Sequence, residues 1–448
     1  MFEFKILKKN KNLRVGEFTT PHGNLLTPEL AFVATEGEIK AIPKDILPTL
    51  PINLIIVNTF HLWVKNIVQT LDTRNWNLDN DAGSLKLEKN QASNIKLQNP
   101  ASNFQHQASK KFTIHNYSNF PRPIMSDSGG FQIFSMGFGK AHGVGKVANM
   151  FPGKNIKYSD KNNPLEIDEE GVTFPFNSQK IILTPEKSIQ IQEKIGADIM
   201  FAFDECTSPL NSKKYTKEAM ERTHRWLKRC LLLQSADANL RRLGKSAEGG
   251  GTHWSPANSA SSDKQALFAI IQGGYYEDLR KISAKFMAKL DLPGFGIGGS
   301  LGTTKDEVKS VLKWSIPYLP EEKPKHLLGI GQVRDIFEAV ERGVDLFDCV
   351  IPTREARHKV VYTKHGKVQL RKMKNSEEVL EKNCQCLAYK NNITMKQLYQ
   401  LFLIKDPRAF FYATVHNIQF YCDLMKSIRQ AIEVNKFTRL KEKYLQYY

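Results

Sequence analysis

Short apolar segments alternate with segments of helical periodicity from about residue 120 onward. Three of the apolar segments, at residues 199–203, 267–271 and 327–330, are predicted to be buried strands. Near-continuous apolar strands are typical of a parallel sheet that is covered on both faces. The helical periodicity predicts helices over residues 277–290 and 333–342. Repeated strand–helix units of this kind form either a β/α barrel or a doubly wound sheet.

The boundaries of one further helix follow from its end residues. Thr184 and Pro185 provide an N-cap and a first-turn proline, and Gly196 ends the helix just before the next strand. The Gly-rich turn that binds phosphate in a dinucleotide-binding sheet does not follow the first strand. The sequence therefore favours an α/β fold of the β/α (TIM-type) barrel class.

Three polar stretches interrupt this alternation. They cover about residues 72–118, 140–163 and 244–263, and they are rich in Asn, Lys, Ser or Gly. Segments of such low hydrophobicity form poor cores. We interpret them as surface insertions into the barrel. Inert loops are the favoured interpretation, and added RNA contacts are the alternative.

The overall composition is that of a globular protein with an excess of positive charge. Of the 448 residues, 41% are hydrophobic and 25% are charged, which argues against a disordered or fibrous chain. Lys and Arg number 64 against 46 Asp and Glu, so the formal net charge is +18. Such an excess favours a polyanionic partner, because neutralised phosphates release their counterions. Solvated surface lysines are the alternative explanation of the same charge.

The six cysteines are too few for a disulfide scaffold, and only Cys384 and Cys386 lie close together in the sequence. Metal binding or simple burial is their expected role. The N-terminus has no apolar signal-peptide core, and no apolar run approaches the roughly 18 residues that a membrane span needs. We therefore expect a cytoplasmic protein without a membrane partner.

Four polar side chains follow apolar runs at comparable positions, namely Asp127, Asp204, Gln272 and Asp348. In a β/α barrel, residues at the carboxyl ends of the strands face the active site. A single Asp in such a place is more often a helix cap or a turn residue. Four such residues predict instead a pocket that contains several carboxylates and an amide.

The residue types of this pocket suit chemistry at a sugar–base bond. One carboxylate can attack an anomeric carbon while a second protonates the leaving group. A third Asp together with a Gln can hydrogen-bond the edge of a flat heterocycle. Glycine pairs at residues 129–130, 273–274 and 298–299 let the backbone approach a ring closely, and Phe131 offers a stacking face. These residues predict a barrel enzyme that acts at a glycosidic carbon, with a base as its candidate substrate.

Several sequence blocks resemble those of the tRNA-guanine transglycosylase family. The block SDSGGFQ at residues 126–132 resembles the family's signature. The remaining blocks follow in the family's order and spacing: NTFHL at 58–62, DIM to FDEC at 198–206, IQGG at 271–274, DLFDC at 345–349 and PTR at 352–354. The resemblance covers about residues 30–430, apart from the three insertions. Several motifs in one order make this a specific resemblance.

The resemblance implies a fold and an activity. The family combines a β/α barrel with a small zinc-binding subdomain. We therefore expect a catalytic barrel over residues 1–372, and a zinc-subdomain-like segment with C-terminal helices over residues 373–448. The family exchanges the wobble guanine of certain tRNAs for a 7-deazaguanine base, without an energy-carrying cofactor. The implied partners are tRNA with a GUN anticodon and queuine or a related base, and the implied assembly is a homodimer.

The resemblance also implies roles for individual residues. Asp348 would be the nucleophile on the ribose anomeric carbon, giving a covalent tRNA–enzyme intermediate, and Asp127 would be the general acid/base. The other residues of the expected substrate site would read the base, stack on it or line its pocket: Asp204, Gln272, Gly299, Phe131, Leu328, Gly329 and Gly302. Arg354 and Arg357 would contact the anticodon loop.

The expected zinc site departs from the family pattern. The family has Cys-x-Cys-x-x-Cys and a distal His, and Cys384, Cys386 and His416 match three of these positions. Tyr389 stands at the position of the third cysteine. Structural zinc normally has four protein ligands. Cys422 is a poor substitute, because six residues beyond His416 on one helix it would point about 240° away. The residues predict either a zinc site of weakened affinity or no zinc.

The segment after Gly299 bears on the choice of base. Enzymes that use the small aminomethyl precursor usually carry Leu and Val where this chain has Ser300 and Gly302. Gly302 leaves room for the larger substituent of queuine, and Thr304 replaces a glutamate that would pair with the precursor's amine. Queuine is therefore the favoured base and the aminomethyl precursor comes next, with neutral drift as the alternative explanation.

Two other functions remain open. The altered zinc motif and the long insertions would suit a non-catalytic tRNA-binding accessory subunit, although such a subunit does not need all four polar residues at the strand ends. A barrel glycosidase would use the same pair of carboxylates. In that case, however, the positive charge and the base-reading glycines would have no purpose.

Overall fold

The computed structural model describes residues 2–65, 113–134, 165–176, 179–234, 265–299, 301 and 305–448. Its strands are β1 Glu3–Asn10, β2 Leu13–Thr20, β3 Gly23–Thr27, β4 Glu29–Val33, β5 Ile55–Val57, β6 Ile124–Ser126, β7 Glu166–Ile167, β8 Val172–Phe176, β9 Gln179–Leu183, β10 Ile199–Phe201, β11 Ala266–Ile271, β12 Gly294–Ile297, β13 Lys325–Leu327, β14 Leu346–Cys349, β15 Val360–Thr363 and β16 Gly366–Gln369. Its α-helices are α1 Thr59–Val64, α2 Ile114–Ser118, α3 Gly130–Phe134, α4 Pro185–Ile195, α5 Lys213–Gln234, α6 Glu277–Met287, α7 Lys305–Ser315, α8 Val333–Val340, α9 Ile351–Arg357, α10 Leu387–Lys390, α11 Met395–Leu403, α12 Pro407–Glu433 and α13 Phe437–Leu445.

Eight parallel strands form a closed barrel. They follow chain order from β4 through β5, β6 and β10 to β14, and β14 closes the barrel by pairing with β4. In that last pair Asp348 lies opposite Ala31. The predicted β/α barrel is thus confirmed, and the doubly wound sheet is excluded.

The barrel interior is filled by aromatic rings, for which two glycines make room. A Cβ atom added at Gly294 of β12 would lie 2.3 Å from the Phe268 ring, and one at Gly296 would lie 3.0 Å from Phe201. The antiparallel sheet β1–β2–β3 covers the amino-terminal end of the barrel, where the Phe18 and Phe268 rings lie 5.9 Å apart. One end of the barrel is therefore sealed, and the carboxyl ends of the strands are left to build a site.

The predicted ends of helix α4 are confirmed. The Thr184 side chain accepts a hydrogen bond from the Lys187 N–H, Pro185 is the first helical residue, and Gly196 has a left-handed φ of 72°. These are the interactions that terminate a helix without leaving its end groups unsatisfied. The helices predicted at 277–290 and 333–342 are present, each ending two or three residues earlier.

The strand predicted at residues 327–330 is wrong in its position. Strand β13 covers Lys325–Leu327, and Gly329, with a φ of 73°, turns the chain immediately afterwards. The strand begins with polar residues whose buried groups have partners: Lys325 Nζ donates to the Pro320 carbonyl at 2.6 Å, and His326 contacts Asp348. Apolar periodicity cannot detect such a strand.

A second core lies beside the barrel. It includes Cys384, Cys386, Leu398 and Ala413, and it is built from β15, β16, α10, α11 and the first turns of α12. The rest of the 27-residue helix α12 packs against the barrel through residues such as Ile418. No helix in the described part of the chain is both long and apolar enough to span a membrane.

The three predicted insertions fall mostly outside the described residues. This holds for all of 140–163 and 244–263, and for residues 72–112 of the first stretch. The last part of the first stretch is described and contains helix α2, which Thr113 caps.

Candidate active site

The four polar residues predicted at strand ends do lie at one end of the barrel. Asp127 follows β6 directly, Gln272 follows β11 directly, and Asp348 is the third residue of β14. Asp204 follows β10 by three residues, and its Oδ2 accepts a hydrogen bond of 2.6 Å from Gln272 Nε2. Parallel strands bring these residues together because their carboxyl ends share one rim of the barrel.

The Asp127 carboxylate accepts hydrogen bonds from four donors. Its Oδ1 accepts hydrogen bonds of 3.0 Å from the backbone N–H groups of Thr59 and Gly129. Its Oδ2 accepts from Asn58 Nδ2 at 2.9 Å and from Gln132 Nε2 at 2.8 Å. Asn58 is at the same time the N-cap of α1, since its Oδ1 accepts from the His61 N–H. Local helix capping therefore orients a residue that fixes the carboxylate.

The pKa of Asp127 is raised to about 7. Burial is the main cause, because it disfavours the charged carboxylate, and the negative charge of Asp348 acts in the same direction. The hydrogen bonds from Thr59, Gly129 and Gln132 oppose this rise because they stabilise the carboxylate. A carboxyl group with such a pKa can both donate and accept a proton near neutral pH.

The Asp348 carboxylate faces the barrel rim with 15% of its side chain exposed. Its Oδ1 accepts two hydrogen bonds of 2.9 Å, one from the Gly329 backbone N–H and one involving His326 Nε2. Gly329 can present its N–H here because it takes the left-handed conformation after β13. Asp348 is thus a carboxylate that is fixed in direction and still reaches the surface of the site.

A second group of residues forms a surface of hydrogen-bonding groups. Asp204 Oδ1 accepts a hydrogen bond of 3.3 Å from Ser128 Oγ, and Asp204 Oδ2 is held by Gln272. Gln272 Oε1 is buried and has no hydrogen-bond partner among the described residues. An added Cβ at Gly299, whose φ is 71°, would lie 2.0 Å from that atom, so only glycine fits there. The group can therefore both donate to and accept from the edge of a flat ligand.

A buried arginine that the sequence analysis missed supports this group. The Arg280 side chain is fully buried on α6 and donates to three carbonyl groups, those of Ile271, Gly274 and Gly298, at 2.8, 2.7 and 3.0 Å. Burial lowers the pKa of Arg280, while the three carbonyls satisfy its guanidinium. Arg280 thereby fixes the backbone on both sides of Gln272 and Gly299. The sequence signal that could have identified this residue was an Arg on the buried face of an amphipathic helix.

His326 is the second missed residue of the site. Strand alternation places it on the same face of β13 as Leu328, and it lies next to Asp348 on the neighbouring strand. The predicted strand started one residue too late to include it. A polar residue directly before an apolar run was the signal that could have found it.

Among the remaining predicted substrate residues, those that the structure describes lie at the same end of the barrel. Phe131 is partly buried on α3, and Leu328 and Gly329 are partly buried in the turn after β13. Gly302 lies outside the described residues. Arg354 is exposed on α9, which begins two residues after β14, and Arg357 is partly buried on the same helix.

The predicted metal ligands come together in the second core. His416 Nδ1 lies 3.8 Å from Cys384 Sγ and 3.5 Å from Cys386 Sγ, and all three residues are buried. His416 Nε2 lies 2.8 Å from the Tyr362 carbonyl, which fixes the ring so that Nδ1 carries the lone pair that faces the sulfurs. This donor set suits zinc, for which two thiolates and an imidazole are ordinary ligands.

Tyr389 stands at the sequence position of the family's third cysteine and provides no thiolate. Its backbone N–H donates to Cys386 Sγ at 3.4 Å, and its ring packs against the second core. Cys422 takes no part in the cluster, as expected from its position on α12. Only three protein ligands are therefore present among the described residues.

Replacing Tyr389 by Cys should raise the affinity for zinc at least about tenfold, because a closed four-ligand site is the stable form of structural zinc. Competition between the protein and a chelating zinc indicator measures this directly. Tyr389→Ser is the matched control, since it removes the ring without adding a thiolate, and it should give no gain. Equal affinity of the Cys variant and the unaltered protein would mean that a fourth ligand comes from elsewhere.

Sequence comparison identifies the relatives of the chain. The chain matches the family described as queuine tRNA-ribosyltransferase over residues 9–83 and 80–448. It is 35% identical over 463 aligned positions to a protein of Archaeoglobus fulgidus that carries this family name, covering 99% of both chains. It is 32% identical to the queuine tRNA-ribosyltransferase of Francisella tularensis subsp. mediasiatica, covering 100% of this chain and 99% of the relative.

These matches extend over the whole length of the barrel and of the second core. They include the strand ends that carry Asp127 and Asp348 as well as the Cys384 and His416 cluster. The resemblance noted from the sequence blocks is therefore confirmed. The chain belongs to the queuine tRNA-ribosyltransferase family, a family of pentosyltransferases.

Proposed function

We propose that this enzyme replaces the wobble guanine of tRNAs with a GUN anticodon by a 7-deazaguanine base, through a covalent intermediate on Asp348. One observation carries the proposal: a fixed carboxylate, Asp348, lies at the barrel rim close to a second carboxyl group, Asp127, whose pKa is about 7. The first group suits a nucleophile and the second an acid/base, and glycosyl transfer with a covalent intermediate requires this pair.

In the first step, an oxygen of Asp348 attacks the ribose C1′ of the target nucleotide. The C1′–N9 bond breaks, and the proton of Asp127 passes to the departing guanine. In the second step the incoming base gives its N9 proton to Asp127, and N9 displaces the Asp348 carboxylate from C1′. Each step breaks one bond to C1′ and forms another, so no energy-carrying cofactor is needed.

Asp204, Gln272 and Gly299 are the proposed base-reading groups. Gln272 Oε1 offers a buried acceptor that the Gly299 backbone borders, and the Asp204 carboxylate, held by Gln272, offers another. Guanine and 7-deazaguanine share the N–H donors that such acceptors bind. Leu328 and Phe131 are the proposed stacking groups on the two faces of the base.

The proposed tRNA contacts start from Arg354 and Arg357 on α9. This helix begins two residues after the nucleophile's strand, so its arginines lie near the scissile nucleotide. The net charge of +18 favours the same partner. A homodimer in the cytoplasm, with one subunit catalytic and the other orienting the tRNA, remains the proposed assembly.

Queuine is the proposed base, on the sequence of the segment that contains Gly302, and the aminomethyl precursor is the alternative. Zinc is the proposed metal of the Cys384, Cys386 and His416 cluster. When bound, it would stabilise the second core and supply no chemistry at the barrel rim.

The test is the exchange of labelled guanine into unmodified tRNA with a GUN anticodon, followed by a chase with queuine or the aminomethyl precursor. We expect incorporation of label, and loss of the label on addition of queuine at lower concentration than of the precursor. The better chasing base decides the proposal on the pocket. Binding of tRNA without incorporation would overturn the proposal in favour of an accessory subunit.

A further inference from the structure

His326 is a fully buried histidine inside the barrel, directly below the rim. Its Nε2 lies 2.9 Å from Asp348 Oδ1, and its ring packs edge-on against Phe201 with 5.1 Å between the ring centres. Its other nitrogen, Nδ1, is buried and has no hydrogen-bond partner among the described residues. The two ring nitrogens of His326 therefore have different environments.

This difference determines where the proton sits. A ring with its only proton on Nδ1 would leave a buried N–H unpaired there and would offer no donor to Asp348. A ring with a proton on Nε2 donates to Asp348 Oδ1. The structure thus favours a proton on Nε2, directed at Asp348.

We propose that His326 is a positioning residue for the nucleophile Asp348, an inference that rests on the proposed function. His326 and the Gly329 N–H donate to the same oxygen, Oδ1, and so fix the plane of the carboxylate. The direction of the other oxygen, Oδ2, is thereby fixed as well, and this is the oxygen that would attack the ribose C1′. Because attack is sensitive to displacements of about 1 Å, this fixation contributes to the rate.

The test compares His326→Leu with His326→Gln. Leucine removes the donor, whereas the glutamine amide nitrogen reaches the position of Nε2 and keeps the donor. We expect His326→Leu to lower kcat for guanine exchange by about 10², with KM for tRNA changed by less than about threefold. His326→Gln should recover most of the lost kcat, and it serves as the matched control for the change in volume.

Thermal unfolding midpoints and tRNA binding of both variants show whether the barrel is intact. Equal loss of kcat in two folded variants, or full kcat in His326→Leu, would overturn the inference. Failure of the proposed function is a distinct result, because then the unaltered protein itself incorporates no guanine. A loss confined to KM would place His326 in substrate binding and would also overturn it.

Discussion

Asp348→Asn is expected to abolish guanine exchange, with a loss of kcat on the order of 10⁴- to 10⁶-fold, the range seen when a catalytic nucleophile is removed. An amide has the shape of the carboxylate and can still accept from the Gly329 N–H, so the rim should keep its geometry. It carries no negative charge and cannot form the ester bond to C1′. Binding of tRNA should therefore change by less than about threefold.

Two measurements check this expectation. Denaturing gels should show a protein–tRNA adduct for the unaltered enzyme and none for Asp348→Asn, and labelled guanine should enter only with the former. Asp291→Asn is the matched control, because this carboxylate lies before β12 at the other end of the barrel with 73% of its side chain exposed. An adduct that persists in Asp348→Asn would show that another residue is the nucleophile.

Asp127→Asn should give the second large effect, a fall of about 10² to 10⁴ in the rate of adduct formation. The Asn side chain cannot protonate the departing guanine. It also places an amide N–H toward the donors Asn58 and Gln132, so the unfolding midpoint must be measured beside the rate. A folded variant with an unchanged rate would remove Asp127 from the chemistry.

The pH dependence follows from the raised pKa of Asp127, about 7. The first step needs the protonated acid, so the single-turnover rate of adduct formation should level off as the pH falls below 7, as long as Asp348 stays ionised. Above that pH it should fall about tenfold per unit, because the protonated fraction falls in this way. In Asp127→Asn this alkaline limb should be absent. A profile of the unaltered enzyme that stays flat to pH 9 would contradict the assignment.

The fold and the carboxylates could be predicted because both depend on local patterns. Asp127 and Asp348 end apolar runs, and the geometry of a parallel barrel brings all strand ends to one rim. The residues that support the rest of the site and the Asp348 carboxylate could not be predicted in this way. Arg280 and His326 are buried polar groups, and their position depends on partners that are distant in the sequence.

The metal cluster could also be predicted only in part. The resemblance to the family's pattern of ligands predicted that Cys384, Cys386 and His416 come together, and they do. Tyr389 changes the number of ligands, and its effect depends on coordination chemistry that neither spacing nor periodicity describes. The proposed base preference rests on Gly302, which lies outside the described residues.

Helix α12 has a consequence for how the molecule unfolds. Its 27 residues extend for about 40 Å. Ala409 and Ala413 near its start belong to the core around Cys384, whereas Ile418 and Ile428 belong to the core of the barrel. Neither core can lose its packing without exposing one side of a helix that the other core still needs. The two therefore behave as one cooperative unit. A metal ion held by Cys384, Cys386 and His416 would stabilise the smaller core and would thereby also limit how often the larger core opens.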